Sequence, residues 1–427
     1  MKKGFLNSGK AKAKLSKDTD LIAGPPKPVR PTEHIGLRYG VVENAGTRPE
    51  GYETQKLVHR EIDPLAPPEV FEEGTTMYTT QPSVTMDASP AKFPDGWTEC
   101  LLDPDVKALI LATPGFPSPL IRPSSCKYRL SPTPGKGHGL FSTYRIRAND
   151  LIICERPLTL VPAWMRISVR FLREMTDQEK AQMQLYEWEQ QLKVLFDRLH
   201  PDYQAAFVKL ANSHQRDGSG PIAGIMRTNG LGVKCLQTGR YPEEEQRKYR
   251  KGIYTAVCKE ISRLNHSCCP NTTWHFDLPT FSFQLFATRD IAKDEELTIS
   301  YIGLGEPAKD RQLALEPYGF QCTCPACLAP SFSDVQRASC LSMPVPNIGD
   351  GLIKLALIEE AGLQGGNTYS KTLKIVMELC IGAGDAESAS TYAKKLANRV
   401  WSAEANEARA YTNPTAIHSH PLWIERT

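Results

Sequence analysis

The stretch that decides the reading is Arg263-Leu264-Asn265-His266-Ser267-Cys268-Cys269-Pro270-Asn271. Taken bare, an Asn-His-Ser triplet is a loop whose short polar side chains bond nearby backbone. Three other stretches give it weight. Downstream come Glu295-Glu296-Leu297-Thr298-Ile299-Ser300-Tyr301 and then Tyr318-Gly319-Phe320-Gln321-Cys322-Thr323-Cys324-Pro325-Ala326-Cys327. Upstream stands Gly135-Lys136-Gly137-His138-Gly139-Leu140-Phe141. A glycine run alone marks a tight turn, and a lone tyrosine at a strand end is ordinary packing. Three cysteines within six residues, in a chain otherwise sparing with them, point to a metal.

In this order, the four stretches resemble the SET-domain protein lysine methyltransferases, over roughly residues 125 to 330. The resemblance implies an α+β, SET-type fold: short β-sheets, a threaded C-terminal segment, a helical insert, a post-SET zinc site and an α-helical C-terminal domain. It implies S-adenosyl-L-methionine as cofactor, structural zinc, and a protein substrate presenting a lysine. Tyr301 would be the catalytic tyrosine and also touch the cofactor. Lys136, Gly137 and His138 lie where the glycine-rich strand passes the cofactor, with backbone mattering more than side chains. Asn265 would serve the cofactor's amino-acid end, the His266 backbone its adenine edge, Asn229 would add a polar contact, and Phe320 would stack on the adenine. Zinc would be held by Cys322, Cys324 and Cys327, with Cys268 as the fourth ligand. Neighbouring side chains of an extended segment point to opposite sides, so Cys269 is expected to face away from that metal. Within the related SET and MYND proteins the insert carries a cysteine-rich zinc module. This chain has no cysteine between Cys154 and Cys235, so the MYND module is absent.

Two functions from different classes compete on this reading. One is an active protein-lysine N-methyltransferase acting on a histone or non-histone protein; the other is a catalytically inactive SET scaffold for protein interactions. Asn265, His266, Tyr301 and Phe320 occurring together favour activity, because a scaffold has no need of the combination. Three closely spaced thiolates suggest a closed site with no open position for water, which argues against a zinc hydrolase.

Composition bounds the rest. The 427 residues suffice for two or three domains. Lysine and arginine total 51 against 48 acids, a net charge of +3 that gives no argument for a nucleic-acid surface. Twelve cysteines without a signal-like segment after Met1 predict a reducing intracellular compartment, nucleus or cytoplasm. No run approaches the roughly 20 apolar residues of a membrane span, so a soluble protein is expected.

Along the chain, residues 1–95 are expected to be a disordered proline-rich segment with a basic start from Lys2 to Lys17. Sixteen of the 33 prolines precede Cys126, a density that blocks regular helix and sheet. Residues 96–124 read as a linker with a short helix between Trp97 and Ile110, and 125–301 as the SET domain. Its insert, about 165–227, is helical, opened by a capping box at Thr176-Asp177-Gln178-Glu179 and stopped by Pro201. Residues 302–330 form the post-SET zinc segment and 331–427 a helical C-terminal domain. Asn149 and Asp294 stand where the family commonly has turn glycines; of non-glycine residues, Asn and Asp best tolerate the left-handed backbone such turns need.

Overall fold

A computed structural model describes residues 76–423, apart from 86–87, 124, 164–175, 240–243 and 245–251. The expectations for residues 1–75, including the basic cluster from Lys2 to Lys17, lie outside the described residues. In chain order the strands are β1 (Met77–Gln81), β2 (Thr98–Leu102), β3 (Tyr128–Thr133), β4 (Gly137–Ser142), β5 (Leu151–Glu155) and β6 (Thr159–Pro162), then β7 (Leu231–Val233), β8 (Tyr254–Val257), β9 (Asn265–His266), β10 (Thr272–Asp277), β11 (Ser282–Ala287) and β12 (Glu296–Ile299). The longer helices are α1 (Pro104–Ala112), α2 (Asp177–Arg198), α3 (Pro201–Val208), α4 (Pro221–Asn229), α5 (Ala308–Leu315), α6 (Pro330–Ser342), α7 (Ile348–Glu360), α8 (Asn367–Gly382) and α9 (Ala386–Ala397).

The strands form three small sheets, ordered β1-β2-β6-β8-β7, β10-β11-β5 and β3-β4-β12-β9. Pairing is antiparallel except for β2 with β6 and β9 with β12. One apolar core lies among the sheets, built from Leu102, Ile110, Leu140, Ile152, Leu160, Tyr254, Phe281, Phe283, Leu297 and Ile299. Asn149 and Asp294 adopt φ of 69° and 64°, the left-handed turns expected of them.

Two expectations near the amino end are corrected. The proline-rich text does not preclude structure up to residue 95, because β1 pairs along its whole length with β2 and buries Met77, Thr79 and Gln81. Five residues free of proline are enough for an edge strand. The residues before the helix are not linker, since Thr98–Leu102 is a fully buried strand; the helix itself has Pro104 in its first turn as expected, a residue pre-set for the first helical position.

In the insert, Thr176 accepts from the Glu179 amide and the Glu179 carboxylate accepts from the Thr176 amide, the reciprocal cap that starts α2. Leu185, Trp188, Leu192 and Leu195 turn inward against Phe207, Val161 and Val257. The Glu189 carboxylate, buried on α2, accepts from the Ile222 and Ala223 amides and so caps α4 from a neighbouring helix.

Helices α7 to α9 enclose a separate core of Leu355, Ile358, Leu373, Val376, Cys380, Ala389 and Leu396. This helical unit rests on the sheets: Trp401 stacks on Phe286 of β11 at 5.2 Å between ring centres. Among the described residues no helix is long and apolar enough to cross a membrane.

Candidate active site and cysteine cluster

The short parallel pairing of β9 with β12 sets Asn265 opposite Thr298 and His266 opposite Ile299, while β12 also pairs with β4. The glycine run thus lies beside the Asn-His-Ser stretch. Asn265 donates from Nδ2 to Glu296 Oε1 at 2.7 Å and to the His138 carbonyl at 3.2 Å. Lys136 Nζ stands 3.6 Å from Glu296 Oε2. Gly139 makes this approach possible. A methyl group there would meet Glu296 Oε1 at 2.6 Å, Thr133 Oγ1 at 2.8 Å and Asn265 Nδ2 at 2.9 Å. His138 itself is exposed and engages through its carbonyl, and Gly137 faces open space.

Tyr301 stands two residues past the end of β12 and is held at both ends. Its amide donates to His266 Nδ1 at 3.0 Å, and its hydroxyl donates to the Leu264 carbonyl at 2.6 Å. Its ring lies 4.8 Å from Tyr318, 5.4 Å from His266 and 6.4 Å from Phe320. Burial, helped by the Glu296 charge, pushes the Tyr301 phenol well above its ordinary range. The hydroxyl therefore stays protonated at neutral pH and can orient a partner without acting as an anionic base. Because His266 Nδ1 accepts from Tyr301, the ring carries its hydrogen on Nε2, which lies 3.3 Å from Cys268 Sγ. The side chain of His266 thus has a job of its own beside the backbone role expected of it.

Cys268, Cys322, Cys324 and Cys327 bring their sulfurs within 4.8 Å of one another, and Cys268 lies 3.6 Å from Cys327. Tetrahedral zinc with Zn–S near 2.3 Å requires sulfurs about 3.8 Å apart, so the donor set fits that ion. The thiols hydrogen-bond one another, which pushes Cys268 up through Cys322 and pulls Cys324 down through Cys268. Cys269 is not among these four, yet it does not face away as expected: its thiol bonds that of Cys324 at the edge of the cluster, and Arg337 Nη2 lies 3.3 Å from its sulfur.

Asn229 stands at the end of α4, and its amide donates to the Ala211 and Ile225 carbonyls inside the insert. Its own carbonyl accepts from Ser262, which ties the insert to the turn before β9.

The sequence reading missed four contributors. Glu296 was visible only as half of an acidic pair whose other member, Glu295, serves Arg289 and Asn271 instead. The Leu264 carbonyl is backbone, invisible in residue type. Arg311 and Arg337 are buried beside the cysteines, Arg311 within 3.8 Å of Cys327 Sγ, and nothing in their sequence context marks them.

Residues 137–302, which hold this site, match the SET domain family. The chain is related to proteins named as lysine methyltransferases. It is 26% identical to histone-lysine N-methyltransferase set5 of Schizosaccharomyces pombe over 312 residues, 69% of this chain and 84% of that protein. It is 46% identical to histone-lysine N-methyltransferase ATXR2 of Arabidopsis thaliana over 81 residues, 18% of this chain and 17% of that one. Against protein-lysine N-trimethyltransferase SMYD5 of Mus musculus it is 38% identical over 72 residues, 16% of this chain and 17% of that one. The chain thus spans most of set5 but under a fifth of the other two.

Proposed function

We propose that this chain transfers a methyl group from S-adenosyl-L-methionine to a lysine side chain of a protein substrate. The observation that carries this reading is Tyr301, fixed at amide and hydroxyl beside Asn265, His266 and Phe320. The residues fit such a cofactor. Phe320 offers a half-buried ring for a flat base, and Lys136 and Glu296 place an ammonium and a carboxylate beside the Asn265 amide, the complement of an amino acid's two charges. Lys136, Gly137, His138, Asn229, Asn265, His266, Tyr301 and Phe320 would hold the cofactor. Bound there, it supplies an electron-poor methyl group.

A lysine reacts only as the neutral amine, whereas in water it is mostly protonated at pH 7. The aromatic surround of Tyr301, Tyr318 and Phe320 would strip water from it and favour the neutral form. The Tyr301 hydroxyl donates to Leu264, and its oxygen would accept from the amine and hold it in line. Positioning then accounts for much of the rate.

The residue division drawn from the sequence, with the amino-terminal limit moved ahead of β1, and the threading of the segment after β12 through the signature loop belong to the same proposal. The parallel β9–β12 pair supports the threading. A nuclear or cytoplasmic location is part of the proposal too, and the histone-directed names of the relatives speak for it. The test is labelled S-adenosyl-L-methionine with histones and with soluble lysate. Label should enter a lysine, and Tyr301→Phe should abolish or sharply lower transfer while leaving cofactor binding nearly intact. Cofactor binding without any transfer would favour the scaffold reading.

A further inference from the structure

We infer that the His266 imidazole is a positioning residue that couples the cysteine cluster to Tyr301, so that metal occupancy is transmitted to the reacting centre. The inference rests on the function proposed above. Three contacts form an unbroken chain: the Tyr301 amide on His266 Nδ1 at 3.0 Å, His266 Nε2 against Cys268 Sγ at 3.3 Å, and Cys268 Sγ against Cys327 Sγ at 3.6 Å. His266 is 4% exposed and Cys268 fully buried, so water cannot substitute for either bond.

The tautomer makes the chain directional. One ring nitrogen accepts from Tyr301, so the other carries the hydrogen, and it faces the Cys268 sulfur at 3.3 Å. A metal-bound thiolate is a stronger acceptor than a thiol, and a charge-assisted bond fixes the ring plane more firmly. A fixed ring in turn fixes the Tyr301 amide, one of the two points at which that residue is held. The second point is the hydroxyl on the Leu264 carbonyl, which does not run through the ring. Loss of the metal would loosen the ring first and Tyr301 with it.

Two partial replacements separate the halves of the relay in the full-length protein. His266→Asn keeps an acceptor at the Nδ1 position but does not reach Cys268. His266→Gln keeps a donor near the Nε2 position but offers nothing to Tyr301. His266→Phe keeps the ring and loses both. Zinc release to a chromogenic chelator and hydrogen exchange at the Tyr301 amide are read alongside kcat and KM. A lost bond to a charged sulfur should speed zinc release by about 10-fold or more in the Phe and Asn variants and not in Gln. Tyr301 amide protection should fall in Phe and Gln and survive in Asn. The kcat should fall in Phe and Gln together with Tyr301 protection. In the parent, stripping zinc should lower Tyr301 protection; in His266→Phe it should lower it no further.

Equal zinc release in all four proteins, or Tyr301 protection indifferent to zinc in the parent, overturns the relay. Exchange and metal release need no methyl transfer. If the parent proves inactive while these two readouts behave as described, the proposed function falls and the coupling stands.

Discussion

Replacing Gly139 by alanine should damage the site more than its single methyl group suggests. The added carbon would sit 2.6 Å from Glu296 Oε1 and 2.9 Å from Asn265 Nδ2, two atoms that are themselves hydrogen-bonded at 2.7 Å. Normal carbon–oxygen contact lies near 3.5 Å, so Glu296 must retreat by roughly 0.9 Å and Asn265 by roughly 0.6 Å. They cannot retreat together without stretching their bond, because Asn265 is also anchored to the His138 carbonyl. Overpacking costs about 1–3 kcal/mol and a strained bond to a charged group about 1.5–3 kcal/mol, which together give roughly 2.5–6 kcal/mol. Most of that falls on Asn265, so cofactor affinity should drop by about 30-fold or more, given that 1.4 kcal/mol is tenfold. Calorimetric titration with S-adenosyl-L-methionine and a thermal melt would measure both parts. Gly137→Ala is the control: with φ at 71° it strains the backbone, by about 1–2 kcal/mol, but meets no atom within 4 Å. It should lower the melting temperature slightly and spare Asn265. A Gly139→Ala protein that binds the cofactor as tightly as the parent would refute the reasoning.

Truncation should distinguish the two sides of β1: deleting residues 1–75 should leave the melting temperature nearly unchanged. Deleting 1–90 should lower it by several degrees, because it removes the buried Met77 and Gln81 and frees Glu99 and Arg198 from Thr80. Cys268→Ser should lose zinc by metal analysis and weaken cofactor binding, whereas Cys269→Ser, whose oxygen can still accept from Arg337, should keep its zinc; the opposite pattern would reverse the ligand assignment. Glu155 has its carboxyl pushed up to about 7 by burial, against the hydrogen bonds it accepts from the Ile261 and Glu260 amides. A raised carboxyl contributes stability below its ordinary range and loses it as pH rises through about 7, so Glu155→Gln should gain on the parent in melting temperature between about pH 5 and pH 8.

What the sequence made legible were features written in residue type at short range. The capping box at Thr176, the left-handed turns at Asn149 and Asp294, and three clustered thiols each depend on a few neighbouring side chains, and each stands where expected. β1 was missed because proline density describes a whole segment, while an edge strand needs only five residues and a partner 20 positions away. The Leu264 carbonyl and the second role of His266 were missed for another reason. They arise from the β9–β12 pairing, which joins positions more than 30 residues apart and turns backbone atoms into site atoms.

The buried arginines show how far that long-range logic extends. Four thiolates around one divalent ion leave a net charge of about −2, which an apolar interior could not hold uncompensated. Arg311 is fully buried within 3.8 Å of Cys327 Sγ and pairs with Asp334 of α6 at 3.1 Å. Arg337, also of α6, donates to the Cys268 carbonyl at 2.8 Å and to the Leu304 and Ala361 carbonyls. Two buried cations thus face the cluster, and one of them is bonded to the backbone of a ligand-bearing residue. The same helix that supplies Arg337 leads into α7 and the helical unit behind it. Charge compensation at the cluster and attachment of the carboxy-terminal helices are therefore one set of contacts, and the helical unit is part of what holds the Asn-His-Ser stretch in place.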